Sequence, residues 1–138
     1  MSGPGWRPSP NHDIRTLPVR FIVLHYTGME SATDALERLG DPESRVSAHY
    51  FIAEDGEVTA MVRDERRAWH AGRSRFRGIA DINSASIGIE LHNPGHAFGY
   101  RPFPAAQMAA CVRLVADLAA RHRIDRRSGR ADLARRLL

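Results

Sequence analysis

Lysine is absent from the 138 residues, and all 20 basic side chains are arginine. One cysteine is present, Cys111, which excludes an internal disulfide and suits a reducing compartment. No apolar run approaches the roughly 20 residues needed to cross a bilayer. The start of the chain, with Pro4, Pro8 and Pro10, lacks the charged and apolar regions of a signal peptide. The expectation is therefore a cytoplasmic chain with no membrane partner. Apolar residues make up 43% and charged residues 26%, which excludes disordered, collagen-like and coiled-coil classes. The length suits one domain.

The net charge of +4 raises the question of a nucleic-acid partner, and its distribution answers it. Residues 121–138 hold seven arginines against Asp125 and Asp132, whereas residues 1–120 are close to neutral. A nucleic-acid face needs a basic patch on the folded body and a reading element. Neither is visible, so no specific nucleic-acid partner is expected.

Residues 1–18, rich in Pro, Gly and Ser, read as an irregular lead-in to a domain spanning residues 19–124. Residues 19–26 (VRFIVLHY) are almost wholly apolar and rich in β-branched side chains, which predicts a buried central strand. Ser31 followed by Asp34 has the pattern of a helix N-cap. Ala32, Ala35, Leu36 and Leu39 supply the apolar stripe, and Gly40 and Pro42 stop the helix. Asp55-Gly56 between residues 47–53 and 58–62 predicts a hairpin. Residues 63–85 have little periodicity and read as long loop, often a functional feature within a compact domain. Residues 86–92 (SIGIELH) alternate, with Ile87, Ile89 and Leu91 on one face and Ser86, Gly88, Glu90 and His92 on the other. The strongest helix runs from Pro104 to about Arg123. Its apolar face is read as Met108, Val112, Val115 and Ala119, joined by Cys111 and Leu118. This order predicts a single α/β domain with a central, mostly mixed sheet flanked by helices.

Two residues stand out chemically. His25 ends an apolar strand, where ligands collect in open α/β sheets; a core histidine bonded to backbone is the alternative. Glu90 lies within the other apolar strand. A carboxylate there meets a cation or metal, titrates abnormally as a general base, or sits on a face that is solvated after all. Trp69 and His70, in Ala68-Trp69-His70-Ala71-Gly72, suit a groove wall or simple packing. His49 alternates with Phe51 on its strand. His12, His92, His96 and His122 read as surface or structural.

Leu24-His25-Tyr26-Thr27-Gly28, Ser47-Ala48-His49-Tyr50-Phe51-Ile52, Asp55-Gly56, Ala68-Trp69-His70-Ala71-Gly72, and Asn83 followed by Ser86-Ile87-Gly88-Ile89-Glu90 occur in one order. In that order they resemble the zinc-dependent N-acetylmuramoyl-L-alanine amidases of the type 2 amidase family, relatives of peptidoglycan recognition proteins. The resemblance covers about residues 10–124. It implies hydrolysis of the amide between N-acetylmuramic acid and L-alanine in peptidoglycan fragments, in cell-wall recycling or degradation. It further implies Zn²⁺ as cofactor, muropeptides as partners and a monomeric state. By the same resemblance His25 matches a zinc ligand and Glu90 the catalytic carboxylate, while Tyr26, His49, Trp69, His70 and Asn83 match positions bordering metal or substrate.

The family's remaining zinc ligands follow its last helix, in a segment ending Gly-His-Ser-Asp. Residues 125–138 instead form an Arg-rich tail, in which Gly129-Arg130-Ala131-Asp132 has arginine where the histidine would stand. The expectation is a C-terminus truncated or altered relative to the family, with a tail that is poorly ordered or weakly helical. The alternative function is a non-catalytic muropeptide-binding module, or an inactive amidase lacking a complete zinc site.

Overall fold

The computed structural model describes residues 3–124. Within the stretch read as an irregular lead-in, two short strands form, β1 (Gly5–Trp6) and β2 (His12–Ile14). They have no hydrophobic alternation of their own; partners elsewhere in the chain supply their pairing, and the prolines around them keep them short. The strand expected to be buried and central is β3 (Phe21–Tyr26), but among the described residues it lies at the edge of the main sheet and only His25 in it is buried, because β7 alone pairs with it; α1 (Ala32–Gly40) follows. Ser31 caps α1 by accepting a hydrogen bond from the Asp34 amide at 3.1 Å, as its spacing predicts. The predicted hairpin is β4 (Tyr50–Ile52) and β5 (Val58–Ala60), paired antiparallel. Within the expected loop lie β6 (Arg66–Ala68) and a single helical turn, α2 (Ile82–Ala85). The chain then forms β7 (Ser86–Leu91) and α3 (Ala105–Arg121). The Arg-rich tail, residues 125–138, lies outside the described residues.

The main sheet has the order β1-β5-β4-β7-β3, and β2 and β6 make a separate antiparallel pair. Strand β7 runs parallel to both β3 and β4, so the sheet is mixed. Its two faces are covered differently. Ile87, Ile89, Leu91, Tyr50 and Ile52 pack with Ala110, Cys111, Leu114 and Leu118 of α3. On the opposite face Phe51 packs with Ala35 and Leu39 of α1 and with Ala48 and Met61. The alternation expected along residues 86–92 is thus what divides the core.

The buried face of α3 is rotated from the expected one. Met108 and Val112 are 40% and 64% exposed, and Gln107, Ala110, Cys111, Leu114, Leu118 and Ala119 are buried. Gln107 takes the inward position because its amide donates to the carbonyls of Ile52 and His92, at 3.0 and 2.9 Å. Those bonds tie α3 to the ends of β4 and β7.

A half-buried arginine ties the lead-in to the domain. Arg15 donates to the carbonyls of Ser84, Ser86, Asp64 and Arg66 at 2.5–3.1 Å. One guanidinium thereby joins the segments around β6, α2 and β7, which suits its rigid fork of donors.

Candidate active site

Parallel pairing of β3 with β7 sets His25 opposite Glu90, and pairing of β7 with β4 sets Phe51 on the other side of Glu90. Cross-strand partners in register share a face, here the face away from α3. Both chemical residues are interior, His25 at 1% and Glu90 at 2% exposure. Glu90 Oε2 has no hydrogen-bond partner among the described residues. Burial pushes the Glu90 carboxyl up to about 8, because a low-dielectric site disfavours the charged form.

His70 reaches this face from the loop after β6. Its Nδ1 lies 2.9 Å from His25 Nε2, and its Nε2 lies 2.9 Å from Ser86 Oγ. The ring lies directly over Gly88, where an added Cβ would come within 2.4 Å of His70 Cγ. Glycine is required there by that close approach rather than by its backbone angles. Asn83 holds the loop in place, its Oδ1 accepting from the backbone amides of His70 and Ala71 at 3.0 and 2.7 Å. Burial, together with neighbouring His25, His49 and Arg15, keeps the His70 imidazole well below the ordinary histidine range.

His49 supports the same face from behind. Its Nδ1 accepts from the Gly88 amide at 3.0 Å, and its Nε2 donates to the Arg66 carbonyl at 2.9 Å. The approach of Arg15 Nη2 to that Nε2 at 3.0 Å therefore brings two donors together and is not a hydrogen bond. Burial, with Arg15 alongside, pushes the His49 imidazole down to about 4. Trp69 is half-buried, its backbone amide bonded to Ser47 Oγ at 2.8 Å and its Nε1 without a partner among the described residues. Tyr26 follows His25 in β3 and so projects to the opposite face, where its ring lies against Gly95.

The structure therefore brings His25, Glu90, His70 and Asn83 together, places His49 behind them, and sets Tyr26 on the other side of the sheet. Sequence reasoning missed Ser86 and Gly88 as parts of the site. Their signal was available, since alternation already puts both on the Glu90 face. A cavity of about 590 Å³ lined by Trp6, Arg15, Tyr50, Asp64, Arg121 and His122 contains none of the chemical residues. Among the described residues, no three His, Cys, Asp or Glu side chains are grouped to hold a metal ion. These residues alone do not complete a zinc site of three protein ligands.

The family model for N-acetylmuramoyl-L-alanine amidase (Amidase_2) matches residues 15–136. The chain belongs to this family. Among curated members it is 34% identical over 118 residues to N-acetylmuramoyl-L-alanine amidase AmiD of Escherichia coli K12, covering 77% of this chain and 42% of AmiD. It is 42% identical over 73 residues to 1,6-anhydro-N-acetylmuramyl-L-alanine amidase AmpD of the same organism, covering 53% of this chain and 39% of AmpD. The matches thus span about two fifths of these relatives' own length. A crystal structure of a selenomethionine AmpD derivative superposes with a TM-score of 0.77 at 27% identity, covering 89% of this chain and 77% of that one. The E. coli AmiD structure superposes with a TM-score of 0.70 at 32% identity, covering 86% and 49%. That structure is a complex with the substrate anhydro-N-acetylmuramic acid-L-Ala-D-γ-Glu-L-Lys. The single α/β domain with a mixed sheet and flanking helices is therefore the family's fold.

Proposed function

We propose that this family member hydrolyses the amide between N-acetylmuramic acid and L-alanine in soluble peptidoglycan fragments, with Glu90 as the proton carrier. The observation that carries the reading is the Glu90 carboxyl, buried in register with His25 and with one oxygen unpartnered among the described residues. A carboxyl held near 8 is poised to take a proton from attacking water and return it to the leaving amine, since transfer is most effective when the group titrates near working pH. The Trp69 loop would border the muropeptide. His49, His70 and Asn83 would act by holding that loop and the sheet face, because their polar atoms are engaged within the protein. Tyr26 would reach substrate only from the opposite face of the sheet. The same reading includes a cytoplasmic site of action and a monomer. Among the described residues no helix is long and apolar enough to cross a membrane.

Zinc dependence belongs to this reading through the family, with His25 as the matching ligand. The incomplete donor set among the described residues favours a second reading, a muropeptide-binding module without turnover. One experiment separates the two. The 138-residue chain, purified without chelator, is incubated with anhydro-N-acetylmuramic acid-L-Ala-D-γ-Glu-L-Lys, and release of free peptide is followed by chromatography while binding is measured by calorimetry. The hydrolase reading expects release that stops on chelation and falls at least about 100-fold in Glu90→Gln, the usual scale for removing an acid–base group. Binding without release, indifferent to chelator, selects the module. Neither binding nor release would overturn both.

A further inference from the structure

We infer that Phe98 and Tyr100 form a stacking platform for a sugar ring, so that the preferred ligand is a muropeptide still carrying a neighbouring N-acetylhexosamine of the glycan. The platform belongs to the end of the sheet that holds the chemical residues. His25 and Glu90 are each the fifth residue of a six-residue strand. The segment leaving β7 is fixed to the segment leaving β3, because the Gly28 amide and Thr27 Oγ1 both donate to the Asn93 carbonyl, at 2.9 and 3.1 Å. Ligands of open α/β sheets collect beyond the carboxyl ends of the strands.

Residues 94–100 (PGHAFGY) then form a loop with no acid, lysine or arginine. The loop is braced at both ends. The Gly95 amide donates to Asn93 Oδ1 at 2.9 Å, Asn93 Nδ2 donates to the Arg101 carbonyl at 2.6 Å, and Arg101 pairs with Glu54 at 2.7 Å. Gly95 and Gly99 adopt φ of 72° and 75°, which turns the chain tightly on either side of the tip. Phe98 and Tyr100 stay 52% and 51% exposed. The His96 ring stacks on Tyr100 at 5.2 Å and 20°, backing one face of the phenol while half of that side chain meets solvent.

Braced, uncharged, half-exposed rings suit a ligand with one apolar face and hydroxyls around its edge. The axial C–H bonds of a pyranose supply such a face, and laying it on aromatic carbon removes apolar surface from water. Size decides against a protein partner. Aromatic side chains bury about 150–250 Å² each, so two exposed halves together offer roughly that much. A stable interface needs about 800 Å² per partner. Charge decides against an anionic lipid or nucleic acid, since Arg101, the cation next to the tip, is committed to Glu54. That the sugar is part of the Glu90 substrate rests on the muropeptide reading above; the platform itself does not.

The test is an NMR titration of the full chain with the uncharged N-acetylglucosamine tetramer, for wild type, Phe98→Ala, Tyr100→Ala and Tyr100→Phe. The expected result is saturable shifts of the Phe98 and Tyr100 ring signals in wild type, with sugar C–H protons moved upfield by the rings. Each alanine variant, folded by its melting curve, weakens binding about fivefold, the scale of one aromatic contact, whereas Tyr100→Phe keeps it. No shift at these rings, or alanine variants that bind as wild type does, overturns the proposal. A wild-type dimer that Phe98→Ala converts to monomer in sedimentation also overturns it, by making the rings a contact between copies. Calorimetry then compares anhydro-N-acetylmuramic acid-L-Ala-D-γ-Glu-L-Lys with the same molecule bearing N-acetylglucosamine, with chelator present to prevent turnover. The extra sugar is expected to tighten binding about fivefold, and the gain to vanish in Tyr100→Ala. An equal affinity for the two overturns the link to the substrate. Tetramer binding at the rings with neither muropeptide bound upholds the platform and sinks the muropeptide reading instead.

Discussion

A methyl group on residue 88 would lie 2.4–2.7 Å from three atoms of the His70 ring, and a ring cannot yield as the tip of a flexible chain does. Gly88→Ala must therefore displace His70 and break its contact with His25. Overpacking of this kind typically costs about 1–3 kcal/mol, expected as a lower urea midpoint with an unchanged slope. Glu90 itself was legible in the sequence, because a carboxylate midway along an alternating apolar strand demands a reason. His25 was legible as a polar end to an apolar run. The contact of His70 with His25 was not, since His70 arrives from an aperiodic loop whose path depends on Asn83 accepting two amides. The role of Arg15 was equally invisible: it lies in a Pro-rich stretch, and its partners are carbonyls, which carry no sequence signature.

At the scale of single elements, α3 shows how polar bonds override an apolar stripe. Its period and extent were readable from residues 104–123, but its rotation was decided by Gln107 reaching the ends of β4 and β7. Its C-terminal end is held by Asp64, which accepts from Tyr50 Oη at 2.6 Å, Arg121 at 2.9 Å and His122 at 2.8 Å. Burial opposes ionisation of Asp64, yet these hydrogen bonds outweigh it and hold the carboxyl below its ordinary range. A carboxyl with a lowered folded-state pKa binds fewer protons folded than unfolded, so its stabilisation is present above the unfolded value and is lost as pH falls through the folded one. Asp64→Asn is thus expected to lower the melting temperature at pH 7, by an amount equivalent to about 1–2 kcal/mol. Thermal scans of both proteins should converge as the pH drops below the usual carboxylate range. A deficit of the same size at pH 2.5 would contradict the assignment.

For the molecule as a whole, the class of fold was readable from the order of elements, and the strand order was not. The β4–β5 hairpin is local and announced by Asp55-Gly56, whereas pairing β7 between β3 and β4 leaves no mark in any short window. The short strands of the lead-in have the same character, being defined by partners about 50 residues away. Arg15 is what makes that lead-in part of the domain. Arg15→Lys keeps the charge but loses the fork, and leaves several carbonyls with fewer donors; a loss of about 2–3 kcal/mol is expected. Amide exchange should speed up at the β2–β6 pairing and around α2 before the β4–β7 pairing responds. Uniform acceleration would show that the clamp is not local.

The parallel pairing of β3 with β7 also bears on assembly. Residues 25 and 90 become neighbours only by closing a loop of more than 60 residues, and no local hairpin can bring β3 and β7 together in steps. On the ribosome, β3 must wait without its partner until Leu91 has emerged. Chains dominated by such distant pairings fold slowly and are open to aggregation meanwhile. The only local pairing in this sheet among the described residues is the β4–β5 hairpin, so the contact of His25 with the Glu90 strand is a product of long-range closure.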